Sequence, residues 1–278
     1  MALTSLVFDI AEKIAESVRP LLVDVRSLPS LGAVVLDKGG GHLAHEIDRV
    51  AEDVLFGTLK SAGYAGLVYS EESGLVRLGS EPRFLICDPY CNTSLTFRGV
   101  RESAVAVYEY TLAGVFVAGA IADLQIPRVV WADQQTPTSV THLGFEGATG
   151  PARRSSASSV DDAFLVISLL KQKRRAETPM RLFRRAGQVA TIDGAIVAVR
   201  LAVGEIDGFV DSTIGQPSYE ALAYELVRRA GGVVTDGEGA DIDFQMIVGG
   251  LANAEVRRQT VVAAANRSLH QELLTLLA

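Results

Sequence analysis

The segment Phe84-Leu-Ile-Cys-Asp-Pro-Tyr-Cys-Asn-Thr-Ser94 constrains this chain more than any other stretch. Its apolar run, residues 84–87, reads as a buried strand. That strand delivers Asp88 to its end, and Pro89 is expected to force a turn there, because proline has no N–H for a sheet ladder. Asn92 and Thr93 follow directly, so the turn carries polar groups beside a carboxylate. The chain's two cysteines, Cys87 and Cys91, flank the same turn. Four extended residues rising about 3.3 Å each would hold the thiols too far apart to bond, so only a sharp turn at Pro89 would let them pair. Cys87 reads as a small buried apolar residue.

The chain has 278 residues, enough for one large domain or two lobes. Its balance of apolar and charged residues is that of a globular protein and not of a disordered one. A formal charge of −7 argues against a general nucleic-acid or anionic-membrane binder, which needs a basic face. No apolar stretch reaches the roughly 18–20 residues of a membrane span. Residues 1–16 carry Asp9, Glu12 and Lys13 at helical spacing, which suits a surface helix and not a signal peptide. A cytoplasmic location is therefore expected.

Apolar periodicity predicts a helix over residues 1–28, with Leu6, Ile10, Ile14 and Val18 on one face and an end near Pro20. Asp37-Lys-Gly-Gly-Gly-His42 is a glycine loop. A second helix is expected over about 45–62, with Ile47, Val50, Val54, Leu55 and Leu59 on one face. Strands are expected at 66–69, 84–87, 104–110 and 114–122, so two helices precede a largely antiparallel sheet. The polar stretch 144–162 marks a lobe junction. It separates an N-terminal α+β lobe, 1–145, from a C-terminal α/β lobe, 146–278, within one compact unit. The second half alternates strand 163–169, helix 193–202, strand 208–211 and helix 218–230. Strands at 233–234 and 260–264 and a terminal helix from Ser268 complete it, implying helices layered on a sheet.

Several blocks stand in a telling order. They are His45-Glu-Ile-Asp48-Arg-Val-Ala51-Glu52, Glu71-Glu72-Ser73, Asp88-Pro89 with Thr93, and Gly204-Glu-Ile-Asp207-Gly-Phe-Val-Asp211. Ala230-Gly231-Gly232-Val233-Val234 and Val262-Ala-Ala-Ala-Asn266-Arg-Ser-Leu-His270 close the series. Together, and over almost the whole chain, they resemble the inositol monophosphatase and archaeal fructose-1,6-bisphosphatase superfamily. The resemblance implies a layered α/β/α/β/α sandwich. It implies Mg²⁺-dependent hydrolysis (Mn²⁺ being the alternative ion) of a small sugar or inositol phosphate, by a homodimer with no nucleic-acid or membrane partner.

The resemblance also implies roles for individual residues. Glu71, Asp88 and the Tyr90 carbonyl match the ligands of one Mg²⁺. Asp48 and Thr93 match the pair that orients and deprotonates the attacking water. Asn92 and Thr93 form the phosphate turn, and Asp211 and Ser212 lie on the substrate side. The departures sit in the same place. The family's central motif reads D-P-x-D-G-[ST], and here its second Asp is Cys91 and its Gly is Asn92. The Asp of the family's W-D pair falls on Tyr219, after Ser218. The Arg and Gly-Ser of another family segment are absent from residues 189–193, and the Thr four residues before the helix Asp is Ala44. Thiol and phenol are poor ligands for a hard ion, so a weakened second metal site with one or two weakly bound ions is expected. The opposing expectation is a catalytically impaired relative retained for binding or regulation. Duller roles stand beside these: Glu71 and Asp88 as ordinary acids, Asp48 as a helix-face acid, and Thr93 as a turn-satisfying hydroxyl. Tyr219 could fill the vacated pocket with its ring. His42 and His45, with Cys91, could make a softer site, and surface histidines are the simpler reading.

Overall fold

The computed structural model describes residues 6–23, 28–37, 43–144, 148–168 and 177–278. The chain opens with helices α1 (Leu6–Val23) and α2 (Leu28–Leu31), a ribbon of β1 (Val34–Asp37) and β2 (Leu43–His45), and helix α3 (Glu46–Ser61). Strands β3 (Leu67–Ser70), β4 (Gly74–Arg77) and β5 (Arg83–Cys91) follow, then a single helical turn α4 (Thr93–Thr96). Next come β6 (Ala104–Thr111), β7 (Phe116–Asp123), β8 (Arg128–Asp133), β9 (Ser139–His142) and β10 (Thr149–Pro151). The second half holds β11 (Phe164–Ile167), α5 (Glu177–Arg185), β12 (Gln188–Ala190), α6 (Ala195–Ala202) and β13 (Gly208–Pro217). It ends with α7 (Ser218–Ala221), α8 (Tyr224–Arg229), β14 (Val233–Thr235), α9 (Phe244–Leu251), β15 (Arg258–Ala264) and α10 (Arg267–Leu277).

One sheet runs β10-β9-β8-β7-β6-β5-β3-β4, antiparallel except where β3 lies parallel to β5. A second runs β12-β11-β13-β15-β14, with β11 parallel to both its neighbours. Helices α1 and α3 cover one face of the first sheet, packing Ile10, Ile14, Val18, Ile47, Leu55 and Leu59 against Leu85, Val105 and Val107. Helices α6 and α8 lie between the sheets, and α5 and α10 cover the outer face of the second. The result is the expected α/β/α/β/α sandwich. Both faces of the first sheet are covered, and β6 is accordingly buried from Ala104 to Tyr110.

Helix α1 runs past Pro20 to Val23, since its buried stripe outweighs the one hydrogen bond a proline removes. The inward face of α3 is rotated from the expected one. Val50 and Val54 are only half-buried, while Asp48, Ala51 and Thr58 are buried, so α3 turns a carboxylate inward. Strands β8 to β10 and helix α9 have no counterpart in the sequence reading. The expected helix over 218–230 is two short helices, α7 and α8. Strand β10 lies inside the polar stretch read as a junction and pairs with β9, carrying the first sheet to Pro151. Most of the glycine loop lies outside the described residues, as does His42. Among the described residues, no helix is long and apolar enough to cross a membrane.

Candidate active site

The turn expected at Pro89 is instead a bulge, and the bulge builds the site. Strand β5 continues to Cys91, with Asp88 opposite Ala106 and Cys91 opposite Ala104, so Pro89 and Tyr90 together face one residue of β6. A bulge adds a residue to one strand and shifts the in-out alternation beyond it. Cys87 consequently packs under α1 and α3, whereas Cys91 joins the core between the sheets. The two thiols are free and separated by the sheet. The same shift brings Asp88 and Cys91 side by side, near enough for the Cys91 thiol to donate a hydrogen bond to Asp88.

Asp48 reaches this place from the first turn of α3. One carboxylate oxygen accepts the His45 backbone N–H at 2.7 Å, fixing the helix start. The other accepts the Thr93 hydroxyl at 2.7 Å. Thr93 Oγ1 also lies 3.1 Å from the Tyr90 carbonyl oxygen. With one proton to donate, it serves Asp48, and its lone pairs remain for a further donor. His45 is half-buried at the rim of the cleft, its Nδ1 2.9 Å from the Gly32 carbonyl oxygen and its ring packed on Phe97.

Glu71 follows β3, its backbone N–H bonded to the Cys87 carbonyl at 3.0 Å. Its segment is held by Glu52 of α3, whose carboxylate accepts the Ser73 amide at 3.1 Å and the Ser73 hydroxyl at 2.5 Å. Glu71, Asp88 and Tyr219, drawn from distant parts of the chain, line one cleft of about 490 Å³. Asp48, Tyr90, Asn92, Thr93, Asp193 and Asp211 line the same cleft.

The electrostatics of the cleft are those of crowded anions. Burial, then the charge of Glu71, pushes the Asp88 carboxyl well above the usual carboxylate range, although the Cys91 thiol and the Tyr90 amide draw it down. Burial likewise raises Asp48, against the His45 and Thr93 hydrogen bonds. Asp88 is 5% exposed and its Oδ1 has no hydrogen-bond partner. Glu71, Asp88 and the Tyr90 carbonyl offer the hard oxygen donors that Mg²⁺ or Mn²⁺ takes, so this donor set fits such an ion.

The other side of the cleft does not fit one in the same way. Tyr219 is 8% exposed, with its ring 5.8 Å from that of Tyr69. Burial raises its hydroxyl well above the ordinary phenol value and keeps it protonated. Burial also raises the Cys91 thiol. Yet this side is not stripped of negative charge, as the sequence suggested. Glu220, one residue beyond Tyr219, brings a carboxylate oxygen to Asp88 and Cys91, the three ligand atoms lying within 4.8 Å of one another. Successive residues on a helical turn point about 100° apart, so Glu220 enters from a direction a position-by-position reading misses. An acid beside a replaced acid was the available signal.

Asn92 sits at φ 69°, ψ 35°, the left-handed conformation that Asn tolerates better than most residues. Its amide donates to the Glu102 carbonyl at 2.8 Å and the Asp193 carbonyl at 2.7 Å. Asp193 is a second residue the sequence reading missed. Its carboxylate accepts from Ser168, Gln216 and the Gly194 amide, tying the start of α6 to the second sheet. Gly194 stands one residue beyond the segment read as lacking a glycine, against Cys91 and Asn92. Asp211 accepts the Gly215 amide at 3.1 Å, while the Ser212 side chain lies outside the described residues. Arg98 and Arg258 line the cleft and add cationic groups.

A sequence model of the inositol monophosphatase family matches residues 2–278. The chain belongs to the inositol monophosphatase family. It is 28% identical, over 95% of its length and 92% of the relative's, to the fructose-1,6-bisphosphatase/inositol-1-monophosphatase of Methanothermobacter thermautotrophicus. It is 25% identical to the Nus factor SuhB of Escherichia coli K12, over 85% of each chain. The solved structure of extragenic suppressor protein SuhB from Bartonella henselae superposes with a TM-score of 0.77. That match has 20% identity and covers 100% of this chain and 98% of that one. These inositol monophosphatase relatives thus include proteins named as phosphatases and proteins named as SuhB factors.

Proposed function

We propose that this protein is a divalent-metal-dependent phosphomonoesterase acting on a small sugar or inositol phosphate, with a weakened second metal position. The observation that carries this reading is the 2.7 Å hydrogen bond between Thr93 and Asp48 beside the Glu71–Asp88 pair. Glu71, Asp88 and the Tyr90 carbonyl would hold Mg²⁺ or Mn²⁺, which supplies charge neutralisation for the phosphoryl group. Thr93 accepts a hydrogen bond from the attacking water and relays its proton to Asp48. The elevated proton affinity of Asp48 suits it to that task. The backbone around Asn92 and Thr93 borders the phosphate, and Asp211 and Ser212 border the alcohol. The P–O ester bond breaks as the new one forms, and the leaving alkoxide takes a proton from solvent. A homodimer remains part of this reading.

A second reading, a family member retained for binding or regulation, gains weight from the buried Tyr219 ring and from relatives named Nus factors. Hydrolysis of inositol 1-phosphate and fructose 1,6-bisphosphate in Mg²⁺ or Mn²⁺ decides between them, beside Asp48→Asn and the Cys91→Asp/Tyr219→Asp pair. Slow metal-dependent turnover is expected, lost by about 10²–10⁴-fold in Asp48→Asn and increased in the double variant. No turnover in either wild type or the double variant would leave the binding reading.

A further inference from the structure

The side of the cleft that lost two family aspartates has acquired a different donor set. We infer that Asp88, Cys91 and Glu220 form a mixed carboxylate–thiolate cation site that prefers a borderline-soft ion such as Zn²⁺ or Co²⁺ to Mg²⁺. This deepens the metal-dependent reading above and rests on it, because the site shares Asp88 with the donors just described.

Four observations carry the inference. The three ligand atoms lie within 4.8 Å of one another. In tetrahedral zinc sites with bonds of about 2.0–2.3 Å, ligand atoms stand roughly 3.3–3.8 Å apart, so a small inward shift closes the set. Glu220 is only partly buried and can supply that shift. Asp88 is 95% buried, and its Oδ1, without a hydrogen-bond partner, belongs to a carboxylate facing this set. Cys91 is placed for ligation: its sulfur stands beside the Asp88 carboxylate and accepts the Ala195 amide at 3.4 Å from the start of α6. Replacing the thiol proton by a cation leaves the amide hydrogen bond in place and neutralises the repulsion between Asp88 and Glu220.

The donor chemistry sets the selectivity. Mg²⁺ takes oxygen ligands in near-octahedral array, and a sulfur at one of its positions is a poor donor. Zn²⁺ and Co²⁺ accept thiolate and carboxylate together. Three protein ligands leave at least one position of a four-coordinate ion for water or substrate oxygen, as in zinc sites that are not purely structural. Tyr219 adds no ligand, since its ring packs on Tyr69 and its hydroxyl stays protonated.

The test is Co²⁺ and Zn²⁺ binding to metal-stripped full-length protein in a non-thiol reductant, followed by absorbance and calorimetry. Wild type is expected to show a near-ultraviolet sulfur-to-cobalt charge-transfer band and to bind Zn²⁺ tighter than Mg²⁺ by tenfold or more. Cys91→Ser should abolish the band and weaken Zn²⁺ at least about tenfold, with Mg²⁺ binding changed less than threefold. Glu220→Gln should keep the band and weaken Zn²⁺. Cys87→Ser, on the far side of the sheet, should leave both unchanged. Should Cys91→Ser fold poorly, Cys91→Asp serves: it must lose the band and shift preference toward Mg²⁺. Absence of the band in wild type, its survival in Cys91→Ser, or unchanged Zn²⁺ affinity in Glu220→Gln overturns the inference. Binding is the readout, so an inactive protein with the band upholds the site, and a Mg²⁺-dependent phosphatase without the band loses the site alone.

Discussion

Gly194→Ala tests how the cleft is held together. Gly194 opens α6 at φ 86°, ψ 179°, a conformation essentially restricted to glycine, costing a side-chain-bearing residue about 1–3 kcal/mol. A Cβ there would stand 2.5 Å from the Cys91 sulfur and 3.0 Å from the Asn92 amide nitrogen. Neither neighbour yields easily: Cys91 is buried, and Asn92 is pinned by its hydrogen bonds to Glu102 and Asp193. Overpacking of this kind costs about 1–3 kcal/mol more. The sum, about 2–6 kcal/mol, is a large part of the roughly 5–15 kcal/mol that stabilises a typical protein. Urea denaturation should show the midpoint falling at unchanged slope. In a Cys91→Ala background the steric part should shrink, leaving mainly the backbone cost. A Gly194→Ala protein as stable as wild type would refute the reasoning. A penalty undiminished by Cys91→Ala would refute its steric half.

Arg128→Ala removes the salt-bridge partner of Asp123, a fully buried acid whose oxygen lies 2.9 Å from the guanidinium and which then keeps the Gln125 and Ile126 amides. A loss of about 3–5 kcal/mol is expected in urea denaturation, and a loss under about 1 kcal/mol would show the pair to be dispensable. Asn92→Ala deletes two hydrogen bonds and puts alanine at φ 69°. The expected cost is about 2–4 kcal/mol, and an unchanged melting temperature would contradict it. His270 is buried with its Nε2 3.0 Å from Thr235 Oγ1, and burial, assisted by Arg267, holds its pKa below the ordinary 6.5. The unfolded chain therefore binds the proton more readily, and stability should fall as pH drops below about 6.5. His270→Gln should flatten that pH dependence; an unaltered slope between pH 7 and 5 counts against this role.

Much of the site was legible because its residues announce themselves locally. An apolar run ending in Asp88, an amphipathic helix carrying Asp48 and an acid pair after a short strand each have a sequence signature. Taken in order, these blocks carry the resemblance to the inositol monophosphatase family, and that resemblance marked Glu71, Asp88, Thr93 and Tyr219, which the fold gathers into one cleft. Strands β8 to β10 were less legible. Strands β8 and β9 are short and joined by polar residues 134–138, and β8 is buried by α1 and α8 from far along the chain, while β10 is only three residues and mostly exposed.

What the sequence determined by itself was the run of helices and strands and, through the resemblance carried by its ordered blocks, the layered sandwich and the acids Asp48, Glu71 and Asp88, since periods and block order are properties of the chain alone. What only the tertiary structure decided was which acids meet. The bulge at Pro89 and Tyr90 depends on pairing with β6, and it places Cys91 beside Asp88 and not beside Cys87. The entry of Glu220 depends on the direction in which α7 leaves β13, which no residue near position 220 specifies. Asp193 becomes a tie between layers only when Ser168, Gln216 and Gly194 converge on it. Such convergence arises from packing between segments distant in sequence, where a shift of one residue redirects a side chain to the opposite face of a sheet.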